Sequence, residues 1–524
     1  MRTPVYAPRG VVATSQPLAA QAGLAVLREG GSAVDAAVAA AITLTVVQPG
    51  SNDIGGDLFA LVWDGAQLHG YNGSGRSPAA LTLERMVAGG GTPTGALGGA
   101  QGAAESAPPP RGWLPVTVPG APAGWRDLHA RFGRVPFERL FADAIGYAEH
   151  GFTAAAGLSR SWARSVRAFA EIDDPACAGW AEVFGRAPRP GEIVRNSGAA
   201  RTLRLLSGTR CAAFYTGEVA DALDRFAAAT GGLLTGDDLA AHEGDWVAPM
   251  SADYRGHTVH ELPPNGQGVA ALQAFALLDG FTGTDPHRQI EAMKLGFADA
   301  HAYVADPRTP TPDLLDPSYV AARRALITEV AGEPGPGDPM RGGTVYLAAA
   351  DGDGMMVSLI QSTYLGFGSY VVLPGYGFGL QNRGAGFSLD PAHPNVAAGG
   401  KRPFHTIIPG FLSRDGEPVG PFGVMGGHMQ PQGHVQLISA TLDDGLDPQA
   451  ALARPRWYWH AGRNVTVESD FPAAAVADLR RRGHAVTVTD DPSDFGMGQA
   501  IWRLPAGGYV AGSEPRADGL AAGY

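Results

Sequence analysis

The chain has 524 residues, 45% of them hydrophobic and 17% charged, a balance that suits a folded soluble body with an ample core. A net charge of −12 argues against nucleic-acid binding, which needs a basic surface, and leaves small-molecule chemistry as the default. The two cysteines, Cys177 and Cys211, make neither a disulfide framework nor a metal site with ligand spacing, and each reads as a small buried hydrophobe.

The opening residues Met1 to Gly10 hold no apolar core followed by a small-residue cleavage site, so the expected location is the cytoplasm. Residues 18–28 and 33–44 predict two Ala-rich helices, the first ended by Gly30-Gly31 and the second capped by Ser32. The apolar run 33–47 contains Asp35 and is too short to cross a bilayer, so no membrane partner is expected. The polar turn Gly50 to Asp57 then leads into a strand over 58–63. Residues 88–110, rich in Gly, Ala, Ser and Pro, predict a flexible surface insertion. Helices are expected again from Trp125 and over 136–150, 197–206, 219–229, 267–278 and 288–304. Residues 307–339 carry seven prolines and predict a long exposed connection. Strands follow at 344–350, 355–360, 370–373, 406–411 and 421–424, and then helices at 430–442, 448–453 and 471–482. That order fits two facing sheets between helical layers in one composite domain.

The stretch Arg341-Gly342-Gly343-Thr344-Val345-Tyr346 carries two readings. It is a turn entering a strand, or it is a place where the backbone is cut. A cut before Thr344 gives that residue a free α-amine, of pKa about 8, beside its own hydroxyl, which makes a nucleophile with a built-in base. Glycine at 343 leaves room for the Thr344 hydroxyl to attack the preceding carbonyl.

Several segments around it resemble the γ-glutamyltranspeptidase family of N-terminal-nucleophile hydrolases. They are Gly30 to Ala39 with the Gly50 to Gly56 turn, Pro119 to Trp125, Asp237 to Ala240, Lys401 to Pro403 and Ser513 to Tyr524. Pro263 to Gly268 and Leu380 to Leu389 are similar to a divergent branch that includes oxamate amidohydrolase. The resemblance implies an α+β fold, an αββα four-layer sandwich. It also implies an inactive precursor that cuts itself between Gly343 and Thr344 into residues 1–343 and 344–524, which stay together. It assigns Thr344 as nucleophile, Ser362 as the hydroxyl that orients it, and Gly426 and Gly427 as oxyanion donors, with no cofactor and no metal. On the residues alone, Gly426-Gly427 is equally a tight turn and Ser362 a strand-end serine.

Where the family holds a γ-glutamyl group, this chain departs. The family arginine falls on Ser74, with Arg76 two residues on as a substitute. The serine pair falls on His405-Thr406, and the aspartate on Gly386. Arg383 offers a guanidinium suited to a carboxylate, or else a structural arginine paired with an acid. Tyr364, two residues beyond Ser362, joins the substrate-binding candidates. His428 and His434 have no further ligands near them in sequence, so no metal site is expected.

The expected function is a self-processing threonine amidohydrolase or acyltransferase for γ-glutamyl compounds or a related small carboxylate-bearing amide. Two alternatives stand beside it: an oxamate-type amidohydrolase or acylase for a non-glutamyl substrate, and an uncleaved, non-catalytic relative. The expected partners are the small amide and the two chain parts for each other, and a homo-oligomer is compatible with the sequence.

Overall fold

The computed structural model describes residues 2–90, 107–283, 285–334 and 343–524. Two seven-stranded sheets form its centre, and every ladder in both is antiparallel. One runs Val5–Ala7, Tyr509–Ser513, Met497–Arg503, Glu417–Met425, Gly410–Arg414, His257–Glu261, Met250–Tyr254. The other runs Leu520–Gly523, Val11–Thr14, Gly343–Ala350, Met356–Tyr364, Asp57–Trp63, Leu68–Asn72, Asp245–Val247. Their inner faces interlock: a Cβ on Gly423 of the first sheet would meet the Tyr346 ring of the second at 2.5 Å, and Phe411 stacks on Trp63 across the gap.

Helices cover both outer faces, giving the expected αββα order. Pro17–Arg28 and Ala33–Val47 lie on the second sheet, Gly268–Asp279 and Met429–Leu442 lie on the first, and Pro286–Tyr303 packs outside Gly268–Asp279. Every residue of Ala33–Val47 is buried, as its all-round apolar sequence requires. Its one acid, Asp35, closes a capping box with Ser32 and also accepts the N–H groups of Arg134, at 2.7 Å, and Val135, at 3.3 Å.

Both sheets mix residues from either side of position 343. Gly343–Ala350 is hydrogen-bonded to Val11–Thr14 on one edge and to Met356–Tyr364 on the other, and the latter pairs with Asp57–Trp63. A chain cut before Thr344 would still be one sheet.

The predicted helices recur with ends shifted by a few residues, residues 136–150 as a 3₁₀ turn, Phe137–Phe141, leading into Ala142–His150. Three expectations need correction. Residues 370–373 make only an isolated bridge, Val372 with Gly379. The strand expected at 406–411 begins later, as Gly410–Arg414. Upstream, side chains take the backbone donors a strand would use: Ile407 N–H goes to His405 Nδ1 and Ile408 N–H to Gln430 Oε1. Part of the 307–339 connection is packed rather than exposed, since the helix Pro317–Arg324 buries Val320, with Leu314 buried ahead of it. The expected insertion at 88–110 falls mostly on residues 91–106, outside the described part.

Removing the Asp35 carboxylate would leave the buried N–H of Ser32 and the part-buried N–H of Arg134 without that acceptor. Asp35→Ala should therefore cost about 2–4 kcal/mol, read as a lower urea midpoint, and an unshifted midpoint would contradict this account of the helix start.

Candidate active site

The site grows from a ladder irregularity. Gly343 pairs with Tyr364 but Val345 pairs with Gln361, so an extra residue on the Met356–Tyr364 strand bulges opposite Thr344. That brings the backbone of Gly343 and Thr344 alongside Ser362 and Thr363. The Thr344 side chain, like residues 335–342 before it, lies outside the described part.

Beyond the strand, Tyr364, Phe367 and Tyr370 all have positive φ, at 77°, 58° and 63°. Arg111 straps this loop, donating to the carbonyls of Leu365 and Gly366 and covering the Tyr370 ring at 4.0 Å.

Arg383, in the 3₁₀ turn Arg383–Gly386, is fully buried. Its Nη1 donates to Thr406 Oγ1 at 2.8 Å and its Nη2 to Ser362 Oγ at 3.1 Å, while the guanidinium lies 4.2 Å from the Tyr364 ring centroid. Ser362 Oγ also accepts the Tyr364 N–H at 2.8 Å. No carboxylate pairs directly with Arg383 among the described residues, and its Nε finds no acceptor among them. Burial lowers its pKa to about 10. Four predicted residues, Ser362, Tyr364, Arg383 and Thr406, thus share one cluster.

His405 sits beside it in another role. Its Nδ1 accepts the Ile407 N–H, so Nε2 carries the hydrogen and donates to Asp57 Oδ2 at 3.2 Å. Burial, with the Arg383 and Arg402 charges, pushes the imidazole well below its ordinary range and keeps it neutral. Asp57 is pushed up to about 7 by the same burial, against the pull of Arg383. Its Oδ1 accepts the N–H groups of Gly120 at 3.1 Å and Gly75 at 3.3 Å. That approach requires glycine, since a Cβ on Gly120 would stand 1.5 Å from Gly73 O.

The glycine pair lies between the strand Glu417–Met425 and the helix Met429–Leu442, with φ of 132° at Gly426 and 61° at Gly427. Neither N–H is donated to an acceptor among the described residues, so both are free to serve an oxyanion. Gln267 ties this loop to the arginine cluster: its Nε2 donates to Gly427 O at 3.0 Å and to Thr406 O at 2.6 Å. Asn265 donates to Pro403 O at 2.8 Å and accepts the His405 N–H on its carbonyl. Nothing in the local sequence of 263–268 marks a role for Gln267 or Asn265. Their partners lie more than a hundred residues away, and only the fold joins them.

Other candidates are placed apart. Arg76 pairs with Asp306 at 2.8 Å, and Ser74 Oγ donates to Asn72 Oδ1 at 2.7 Å. Neither reaches Arg383. Gly386 is closed in, a Cβ there meeting Phe404 O at 2.7 Å. His434 pairs with Glu261 at 2.6 Å, and His428 packs among Phe297, His301 and Phe404. Among the described residues one cluster has metal-ligand composition, His287, Glu291 and His484. Its facing atoms are already engaged, His287 with His484 Nε2 and Thr328 O and Glu291 with Lys294 and the Gly332 N–H, leaving only His484 Nδ1 unpartnered among the described residues. Both cysteines are buried, and burial pushes the Cys177 thiol up to about 12 and the Cys211 thiol higher still.

The arrangement offers a strand start at Gly343 and Thr344, a hydroxyl network with a buried cation, and two N–H groups on a glycine loop without acceptors among the described residues. Those are the parts of acyl transfer at an amide. Comparison with known proteins agrees with that chemistry. A family model described as gamma-glutamyltranspeptidase matches residues 19–524. The glutathione hydrolase-like YwrD proenzyme of Bacillus subtilis is 34% identical, covering 100% of both chains. The oxamate amidohydrolase proenzyme of Klebsiella pneumoniae is 36% identical, covering 98% of each. The crystal structure of a cephalosporin acylase from Bacillus halodurans superposes with a TM-score of 0.94 at 49% identity, covering 100% of this chain and 97% of that one.

Folding raises the Asp57 carboxyl from about 3.9 in the unfolded chain to about 7. The folded state therefore keeps a proton that the unfolded state has lost in that window, and this contribution to stability is full below the lower value and is lost as pH rises through the upper one. Asp57→Asn should flatten the fall in urea midpoint between about pH 4 and pH 7, and a curve parallel to that of the parent protein would overturn the assignment.

Proposed function

This chain belongs to the gamma-glutamyltranspeptidase family, an enzyme of the N-terminal-nucleophile hydrolase class, and from that premise we propose that it cuts itself before Thr344 and then hydrolyses a small carboxylate-bearing amide. The Thr344 hydroxyl adds to the amide carbonyl while its α-amine takes the proton. The N–H groups of Gly426 and Gly427 receive the oxyanion, the proton passes to the leaving amine, and water releases the acyl group from the threonine.

The observation that carries the substrate class is the tethering of Arg383 to Ser362, beside the start of the Gly343–Ala350 strand. A guanidinium without a direct carboxylate partner suits the carboxylate on the acyl side of a substrate. Among the described residues nothing equivalent awaits a substrate ammonium: Gly386 stands at the aspartate position, and His405 is neutral and donates to Asp57. We therefore favour an acyl group without an α-amine, in the direction of oxamate or a dicarboxylic half-amide. γ-Glutamyl compounds are the competing reading, supported by the likeness to the YwrD proenzyme.

Purified protein should give two chains on a denaturing gel, with a fragment starting at Thr344 by mass spectrometry, and Thr344→Ala should remain a single band near 54.1 kDa. A parent protein that stays whole sinks the self-processing proposal. On the processed enzyme, Arg383→Gln should lower kcat/KM for an acidic acyl group by about 10²-fold or more. Turnover of γ-glutamyl anilide faster than that of oxamate would reverse the choice of acyl group.

A further inference from the structure

A cleft of ≈ 250 Å³ opens beside Gly426, on the side of the glycine loop that faces the 365–370 segment. Arg164 is the only charged residue in its lining, among the described residues. Phe367 supplies an apolar wall, and Ser51 and Ser493, whose hydroxyls have no hydrogen-bond partner among the described residues, also line it.

Arg164 belongs to the helix Ala156–Phe169, whose apolar face buries Leu158 and Trp162. Arg160, Arg164 and Arg167, spaced four and three residues apart, fall on its exposed side, and none has an acidic partner among the described residues. The three present a positive row without acidic partners among the described residues on a chain of net charge −12.

We propose that this cleft is the subsite for the amine side of the substrate, and that Arg164 selects amides whose leaving amine carries a carboxylate. The inference rests on the amidohydrolase reading above. An oxyanion held at Gly426 fixes the carbonyl carbon there, so the two substituents of the scissile amide must leave in different directions. The acyl side turns to the buried Arg383 cluster, and the amine side enters the open cleft, where product can depart into water. The guanidinium of Arg164 and the hydroxyls of Ser51 and Ser493 are donors suited to a carboxylate, and the Phe367 wall takes the carbon skeleton next to it. Arg160 and Arg167 extend the positive potential outward along the helix and steer anions toward the mouth.

The test uses two amides with the same acyl group, one releasing alanylalanine and the other alanylalanine amide. Arg164→Gln should raise KM for the first by about tenfold, leave the second within about twofold, and leave self-cleavage intact. Arg164→Lys should recover part of the loss, and the double variant Arg160→Gln, Arg167→Gln should lower kcat/KM for the anionic amide at low salt only. Equal loss on both amides, or none on either, overturns the subsite. Should neither amide turn over, calorimetric titration of the full-length protein with alanylalanine decides the matter. Binding that weakens in Arg164→Gln and with added salt supports the subsite, and no binding overturns it, whether or not the chain has cleaved before Thr344.

Discussion

A buried guanidinium with no direct carboxylate partner among the described residues is the constraint around which this site is organised. Bringing such a charge out of water is costly, and the surrounding structure offsets that cost in pieces: two hydroxyls, an aromatic face and the field of Asp57 nearby. Each piece comes from a different segment. Ser362 and Tyr364 end a central strand, Thr406 follows the Lys401-Arg402-Pro403 segment, and Asp57 opens the strand next door. The neutral histidine between them also follows, because burial, with the charges of Arg383 and Arg402 nearby, disfavours a further cation at His405. What remains unmet around Arg383 is an anion, and that links the packing of the core to the choice of substrate.

The architecture was legible in the sequence wherever local signals were strong. The cap at Ser32, the alanine-rich helix after it and the strands at 344–350 and 355–360 read correctly because propensity, pattern and burial agree there. Reading failed where tertiary bonds replace local ones. The segment after His405 has strand-like residues, but Gln430 and the His405 ring take its donors and postpone the strand to Gly410. The C-terminal strands and the small sheet of Trp457–Ala461, Asn464–Glu468 and Ala485–Thr489 were also missed, being short and set among turns.

Within the site, residue types were legible and partnerships were not. Arg383, Ser362, Thr406 and Tyr364 were named one by one, yet nothing in their spacing says that one guanidinium joins all the others. Arg76 illustrates the reverse error: proximity to a vacant family position suggested a role, whereas Asp306, distant in sequence, holds it elsewhere. Gln267 had no local signal at all. A buried glutamine bridging two carbonyls, one on the arginine cluster and one on the glycine loop, emerges only once strands and helices have assembled.

The central position of the Gly343–Ala350 strand bears on the life history of the molecule. It is clasped on one edge by a strand from the beginning of the chain and on the other by the strand that follows it. Exchange of halves between molecules would mean unzipping the interior of a seven-stranded sheet and exposing the wall it shares with the other. Were the chain cut before Thr344 as proposed, each molecule would keep the partner with which it was translated, and a defect in one half would not be diluted by a sound copy from a neighbour.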